Sequence, residues 1–408
     1  MVMAGFERQE DVLMSVHDAV IVSAARTPIC DFGGAFKDLT AGDLSAAVMR
    51  EVIRRAGIDA AEIEDIVWGC CIQDLNEPNT GRCAALKAGI PVEVPAYTVQ
   101  RQCNSSLTAF INASLLVKWG EAEIILCGGV ESYSTAPYVL RDARWGARLM
   151  HKTMSDAIWD LLYSGGKIIM GETAELIAKK WGISRRESDE VALRSHNNAE
   201  QAIKAGKFRE EIVPVSIPQK KGESKVISQD EHVRMGLSWA DVSSLKPAFN
   251  KDGIVTAASS SGLNDGAAAM IIMSAEKAKT LGLQPLAKFV DYAVAGVDPD
   301  YMGEGPIPAT EKLFRKSKYS LSDVGLIELN EAFAAQYIAC ERGIGLNREI
   351  TNVNGSGCGL GHPVGATGSR LVTTLIYEMI RRDVEIGMAS LCAGGGMGTS
   401  VLVERISL

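Results

Sequence analysis

The chain has 408 residues, 47% of them apolar and 23% charged, with a formal net charge of -8. That length exceeds one ordinary domain and can bury a large core, while the acidic balance excludes the basic surface that nucleic acid requires and no apolar run reaches the ~18 residues of a membrane span. The nine cysteines are odd in number and form no CxxC pair, which argues against a disulfide framework or a zinc site and for a reducing cytoplasm.

Residues 1–17 mix Glu7, Glu10 and Asp11 with few basic residues. That pattern fits neither a secretory signal nor an Arg-rich transit peptide, and a short frayed extension is expected. A buried strand is predicted over 20–23, then an amphipathic helix over 39–56 stopped by Gly57. Short apolar strands follow at 66–69 and 96–99, the second leading into a helix over 105–119. Another strand, 124–127, is expected to close at Gly128-Gly129. Strands separated by helices predict parallel βαβ units in an α/β fold. From 132 to 255 tryptophans, charges and short helices appear, with an amphipathic helix over 187–205 and an extended piece at 212–218. This region reads as an insert over the core, and such inserts commonly supply a lid or pocket. The second half echoes the first. LSDVGLIEL at 321–329 parallels AAEIEDIVW at 60–68, residues 371–388 supply a helix and a strand, and Cys392-Ala393-Gly394-Gly395 mirrors Cys127-Gly128-Gly129. The order predicts an internal duplication of one α/β unit.

Four positions could carry chemistry. Cys103, in VQRQCNSSLTAF, follows a strand and precedes a helix start, where unpaired N–H groups and the helix dipole favour thiolate. It could equally be a buried small hydrophobe, the commonest fate of a free cysteine. Of five histidines, only His362 lies in a glycine-rich stretch, NGSGCGLGHPVGATGSR. Its ordinary pKa near neutrality suits a base, although a structural histidine in a tight turn is also open. Cys392 precedes three glycines whose N–H groups could hold an oxyanion, or simply form a turn. The cluster lacks the Walker lysine and the GxGxxG spacing of a nucleotide loop. Asn330 and Glu331 end a predicted strand, where α/β sheets place ligand groups, and Asn330 could also be a helix N-cap. A thiolate, a base and oxyanion donors together suggest covalent acyl transfer.

At these residues the chain resembles the thiolase family from about residue 18 to 408. SAARTPI at 23–29, RQCNSS at 101–106, GGVESYS at 128–134, MGETAE at 170–175, DEHVR at 230–234, SSGLNDGAAA at 260–269, MGEGP at 302–306, NEAFA, GHPVGATG and CAGGGMG occur in order. The resemblance implies a thiolase-like duplicated α/β/α/β/α core. Its N-terminal half would be 18–131 completed by 256–285, and its C-terminal half 286–408. The inserted loop domain, 132–255, would bind coenzyme A. Cys103 would carry the acyl group, His362 would take its proton, and Asn330 would hold a water at the thioester oxygen. The N–H groups of Cys103 and Gly394 would form a second oxyanion hole, and Cys392 would move the proton at the α-carbon. Arg234 and Ser261 would contact coenzyme A, and Met170, Met302, Ala257 and Leu263 would line the substrate site. The resemblance implies no metal and no cofactor beyond coenzyme A as substrate, and a homodimer or homotetramer with an accessory subunit possible.

The expected activity is CoA-dependent cleavage of a 3-oxoacyl-CoA, or the reverse condensation, in fatty acid or aromatic acid degradation. Several positions depart from the family pattern. Asn104 and Ser106 stand where a small residue and glycine are usual. Ile169 replaces the histidine typical of short-chain acetoacetyl-CoA thiolases, and Ala258-Ser259-Ser260 and Cys358-Gly359 also differ. Ile169 favours a longer, branched or aromatic chain. Alternatives are a thiolase for a bulky 3-oxoacyl-CoA that needs a partner subunit, a decarboxylating ketosynthase, and a non-catalytic lipid-binding relative. The ketosynthase pairs its cysteine with two histidines, and a non-catalytic protein is expected to lose a catalytic residue.

Overall fold

The computed structural model describes residues 18–163, 167–219 and 223–406; the extension expected over 1–17 lies outside the described residues. In chain order the main elements of the first half are β1 (Ala19–Arg26), α1 (Ala41–Ala56), β2 (Asp65–Cys70), α2 (Thr80–Ala88), β3 (Ala96–Val99), α3 (Ser105–Lys118) and β4 (Ile124–Glu131). The insert carries α4 (Met170–Trp181) and α5 (Arg185–Lys204), and β5 (Asn264–Ser274) returns to the core. The second half holds β6 (Ala287–Gly296), α6 (Pro306–Lys316), β7 (Leu326–Leu329), α7 (Ala334–Ile344), α8 (Val364–Arg382), β8 (Ile386–Ala393) and β9 (Met397–Arg405).

Local chemistry sets these boundaries. Thr40 caps α1 in a reciprocal box with Asp43, its side chain accepting from the Asp43 N–H, and Gly57 ends the helix at φ 67°. Ser184 and Glu187 form the same box at α5. Each such cap is worth roughly 1 kcal/mol. Leu44, Val48, Met49 and Val52 then present one buried face of α1 to the sheet.

The duplication is visible in the strand order, which runs β7-β8-β9-β6-β1-β5-β4-β2-β3. Read outward from the centre, antiparallel β1–β5 and β5–β4 and parallel β4–β2 repeat as antiparallel β6–β9 and β9–β8 and parallel β8–β7. Among the described residues, the two halves of the sheet pair where Val20 and Ile21 face Lys288 and Ala287. Three apolar clusters fill the four interfaces between five layers, the middle one on both faces of the central helices. Leu44 and Met49 of α1 pack on Ile66, Trp68 and Leu126 outside the first half. Phe110 of α3 and Leu371 and Leu375 of α8 fill the middle against Ile125, Ile272, Leu391 and Val401. Leu313, Tyr337 and Ile338 cover Met388 and Leu402 outside the second half. Each fully buried side chain of this kind contributes about 1.5–3 kcal/mol.

Three expectations need correction. The strand over 124–127 does not close at Gly128-Gly129; β4 runs through them to Glu131. A Cβ at Gly128 would strike the Ala268 carbonyl and one at Gly129 the Gly365 carbonyl, so these glycines serve close packing rather than a turn. Helix α8 starts at Val364, directly after Pro363, instead of near 371. The repeat register also differs. Asp65 pairs with Ile125, and Leu326 with Gly387; counting along both strands matches Cys392 to Val130, not to Cys127.

Candidate active site

Cys103 sits on a strained bend between β3 and α3. Gln102 adopts φ 49°, a left-handed conformation that costs a non-glycine residue about 1 kcal/mol or more. The bend is held by Asn104 N–H donating to the Arg101 carbonyl at 3.0 Å and by Ser105 Oγ, which accepts from Arg101 N–H at 2.9 Å and donates to the Gln102 carbonyl at 2.6 Å. Cys103 packs against a buried cluster of Tyr133, Ile158 and Val364, as do Cys71, Ile72 and Leu263. Burial pushes the Cys103 thiol up to about 11, although the N–H groups of Gly394 and of Cys103 itself pull it down. That shift runs against the thiolate expected at a helix start. Loss of water outweighs the helix-start donors, and the free enzyme carries a neutral thiol. The same donors fit the oxyanion pair expected of Cys103 and Gly394: both N–H groups address the reacting sulfur.

His362 occupies the turn between the short helix Gly357–Leu360 and α8. Its Nδ1 lies 2.7 Å from Thr367 Oγ1, and that hydroxyl donates to the Pro363 carbonyl at 2.9 Å. Having given its one proton away, the hydroxyl accepts from Nδ1–H. Nε2 is left as a buried lone pair with no protein partner. Burial, assisted by Arg370, lowers the His362 pKa to about 3. His362 is thus a neutral base, not one poised near neutrality as its ordinary value suggests. The proton it takes must be compensated by charge developing beside it.

Cys392 is the penultimate residue of β8, and the glycines after it form the hairpin turn into β9. Its thiol is raised well above the usual value, first by burial and next by Cys103, so the two sulfurs act on one another. Met302, Phe333 and Met170 pack around it. Asn330 follows β7 with its backbone N–H donating to the Ser390 carbonyl at 2.9 Å. The N-cap reading fails, because α7 begins at Ala334. Both polar atoms of the fully buried Asn330 amide lack a protein partner, a costly state that implies a bound partner. Glu331 has a different task. Ser195 Oγ of α5 donates to it at 2.5 Å and Asn352 Nδ2 at 2.8 Å, which ties this loop to the insert.

Residues far apart in sequence bring these groups together. Gly365 approaches the Val130 carbonyl so closely that a Cβ would clash. Glu131 at the end of β4 accepts from Gly365 N–H at 2.9 Å and from Ile72 N–H at 3.0 Å. Burial raises its pKa to about 7. Sequence reasoning missed Glu131, Thr367 and Asn264, whose Oδ1 accepts the His362 N–H at 2.8 Å. Of the expected substrate residues, Met302 shares an apolar cluster with Cys392 and Met170 packs against it, and Leu263 packs on the same cluster as Cys103. Ser261 is half-buried and donates its N–H to the Ala332 carbonyl at 2.9 Å. Arg234 and Ala257 are exposed and belong to neither apolar cluster. Among the described residues, no group of three or more His, Cys, Asp or Glu side chains is placed to hold a metal, and no helix is long and apolar enough to cross a membrane.

This fold and these motifs define a thiolase. The thiolase N-terminal domain matches residues 19–276 and the thiolase C-terminal domain residues 283–405; the chain belongs to the thiolase family. It is 47% identical over 393 residues to the acetyl-CoA acetyltransferase of Cupriavidus necator, covering 95% of this chain and 99% of the relative. It is 46% identical over 391 residues to that of Paracoccus denitrificans, with 95% and 99% covered. The crystal structure of the Bacillus anthracis acetyl-CoA acetyltransferase superposes with a TM-score of 0.94 at 48% identity, covering 96% of this chain and 99% of that one. Human mitochondrial 3-ketoacyl-CoA thiolase superposes at 0.93 with 38% identity, covering 96% and 100%.

Proposed function

We propose that the protein is an acyltransferase that cleaves a 3-oxoacyl-CoA with coenzyme A, and runs the reverse condensation, through an acyl-Cys103 intermediate. The observation that carries this is the interaction of two thiols, half-buried Cys103 and buried Cys392; a neutral His362 and an Asn330 amide without a protein partner support the roles of base and oxyanion donor.

In cleavage, His362 Nε2 takes the Cys103 proton as the sulfur adds to the 3-oxo carbon. The N–H groups of Cys103 and Gly394 hold the oxyanion. The bond between the α-carbon and the 3-oxo carbon then breaks. Cys392 gives its proton to the released α-carbon, while His362 and a water on Asn330 stabilise the departing thioester oxygen. Coenzyme A next attacks the acyl-Cys103 thioester, losing its proton to Cys392; the bond to Cys103 breaks, its sulfur takes back the proton held by His362, and the shortened acyl-CoA leaves. No metal is needed and coenzyme A enters as a substrate. Arg234, Ser261 and Ala257 are assigned to its binding.

A longer or bulkier acyl chain is favoured over acetyl alone by Ile169 and by the apolar side chains of Tyr133, Ile158, Val364 and Leu263 around Cys103. A homodimer or homotetramer is supported by β3, which ends the sheet at an edge with Tyr97 exposed. A cytoplasmic place in acyl degradation completes the reading. Comparing cleavage rates for acetoacetyl-CoA, a long straight-chain ester and an aromatic ester tests the substrate reading, and no turnover of any of them sinks it.

A further inference from the structure

The His362 turn is held from behind by a chain of hydrogen bonds that leaves the site and ends on the loop carrying Arg234. Asn264, fully buried at the start of β5, accepts the His362 N–H through Oδ1 at 2.8 Å. Its Nδ2 donates to Asp31 Oδ1 at 3.1 Å and to the Cys30 carbonyl at 3.2 Å. The same Asp31 oxygen meets His232 Nδ1. His232 belongs to the 230–234 loop, whose Asp230 is clamped by Arg26 at 2.7 and 3.0 Å and accepts from Ile29 N–H at 2.8 Å. Glu231 accepts from Asp31 N–H and Ala35 N–H, both at 3.1 Å.

This arrangement has a directional consequence. A primary amide has one acceptor end and one donor end. The Asp31 carboxylate can only accept, and so can the Cys30 carbonyl. Together they require the Asn264 amide to present NH2 to them, which leaves its carbonyl facing the His362 N–H. Asp31 therefore acts on the histidine through Asn264. We propose that Asp31 is a positioning residue for His362, part of a strap His232–Asp31–Asn264 that fixes the base and joins it to the loop proposed to contact coenzyme A. The inference rests on the reading of His362 as the base for Cys103.

The test compares Asp31→Leu, Asp31→Asn and His362→Ala by two readouts: steady-state cleavage of a 3-oxoacyl-CoA, and the rate at which iodoacetamide alkylates Cys103, followed by mass spectrometry. Asp31→Leu removes the acceptor. It is expected to lower kcat about tenfold, because small displacements of a reacting group are costly, with KM within about twofold. Alkylation should slow by a similar factor. Asp31→Asn keeps an oxygen that can accept, and both rates should return to within about threefold of wild type. Wild-type rates in Asp31→Leu, or an Asp31→Asn variant as slow as Asp31→Leu, overturn the strap. If Asp31→Leu does not fold, His232→Phe removes the far partner without touching Asn264. It should slow both rates about threefold, and unchanged rates overturn the proposal. His362→Ala separates the two claims: if it alkylates as fast as wild type, the base assignment itself fails. A wild type that alkylates normally but cleaves no ester counts against the substrate reading alone.

Discussion

Thr367 Oγ1 accepts the Nδ1–H of His362 at 2.7 Å because its own proton is committed to the Pro363 carbonyl. A hydroxyl five residues along the chain thus decides which imidazole nitrogen keeps the free lone pair. Removing it as Thr367→Val leaves shape and volume nearly unchanged but frees the ring to adopt the other tautomer. A fall in kcat of about tenfold or more is expected, with KM little altered and a stability loss of about 1 kcal/mol. Steady-state kinetics beside thermal unfolding checks this, and an unaffected kcat contradicts it.

The neutral Cys103–His362 pair sets the pH dependence of alkylation. With the thiol pushed up to about 11, the thiolate fraction rises roughly tenfold per pH unit below that value. In His362→Ala the alkylation rate should therefore climb steadily from pH 7 to pH 10. Wild type should exceed it at pH 7, because the lone pair on Nε2 can take the proton. A rate that plateaus below pH 8 in His362→Ala would reveal a thiolate of low pKa and contradict the resting state described above.

The pKa of His362 is shifted the other way, down instead of up, and its stability linkage again favours high pH. Its folded pKa is depressed to about 3 from an ordinary 6.5. The stabilisation from keeping it neutral is complete above 6.5 and is lost as pH falls through the window from 6.5 to about 3. Wild type should lose stability across that window faster than His362→Ala, when chemical unfolding is followed at several pH values. Parallel curves would contradict the depressed pKa.

Asn330 is buried with both amide atoms unpartnered. Replacing it with leucine removes two buried polar groups that no other protein group pairs, so Asn330→Leu should match or exceed wild type in stability. Cleavage should fall about a hundredfold as the water it orients is lost. Equal losses of stability and activity would instead mark Asn330 as a structural residue.

Gly365 meets the Val130 carbonyl and lies near Glu131. Gly365→Ala forces the start of α8 away from β4, and a loss of about 2 kcal/mol is expected. Because His362 precedes that start, activity should fall further than the stability loss alone explains. An unchanged melting temperature would contradict the close approach.

These residues also show what the sequence disclosed. Cys103, His362 and Cys392 were legible because each stands beside a local signal: a helix start or a run of glycines. The repeat was legible because LSDVGLIEL and AAEIEDIVW share a pattern of a short 3-10 turn before a buried strand. Its exact register was not, because glycine pairs look alike whether they make turns or let backbones touch. Gly128-Gly129 looks like a strand end for that reason, since the chain that packs against it comes from residues 268 and 365. Glu131, Asn264 and Thr367 were missed for a related reason. Glu131 and Asn264 act across separations of 234 and 98 residues, and Thr367 is one threonine among many until the turn folds. The raised thiol and lowered imidazole values follow from burial, which no local motif reveals.

The most direct test of acyl transfer through Cys103 is CoA-dependent cleavage of the 3-oxoacyl-CoA panel by wild type, Cys103→Ala and Cys392→Ala, with rapidly quenched samples examined by mass spectrometry. Cleavage by wild type, an acyl adduct on Cys103 and loss of turnover in both variants is the expected result. A folded wild type that cleaves none of the esters and forms no adduct on Cys103 contradicts it.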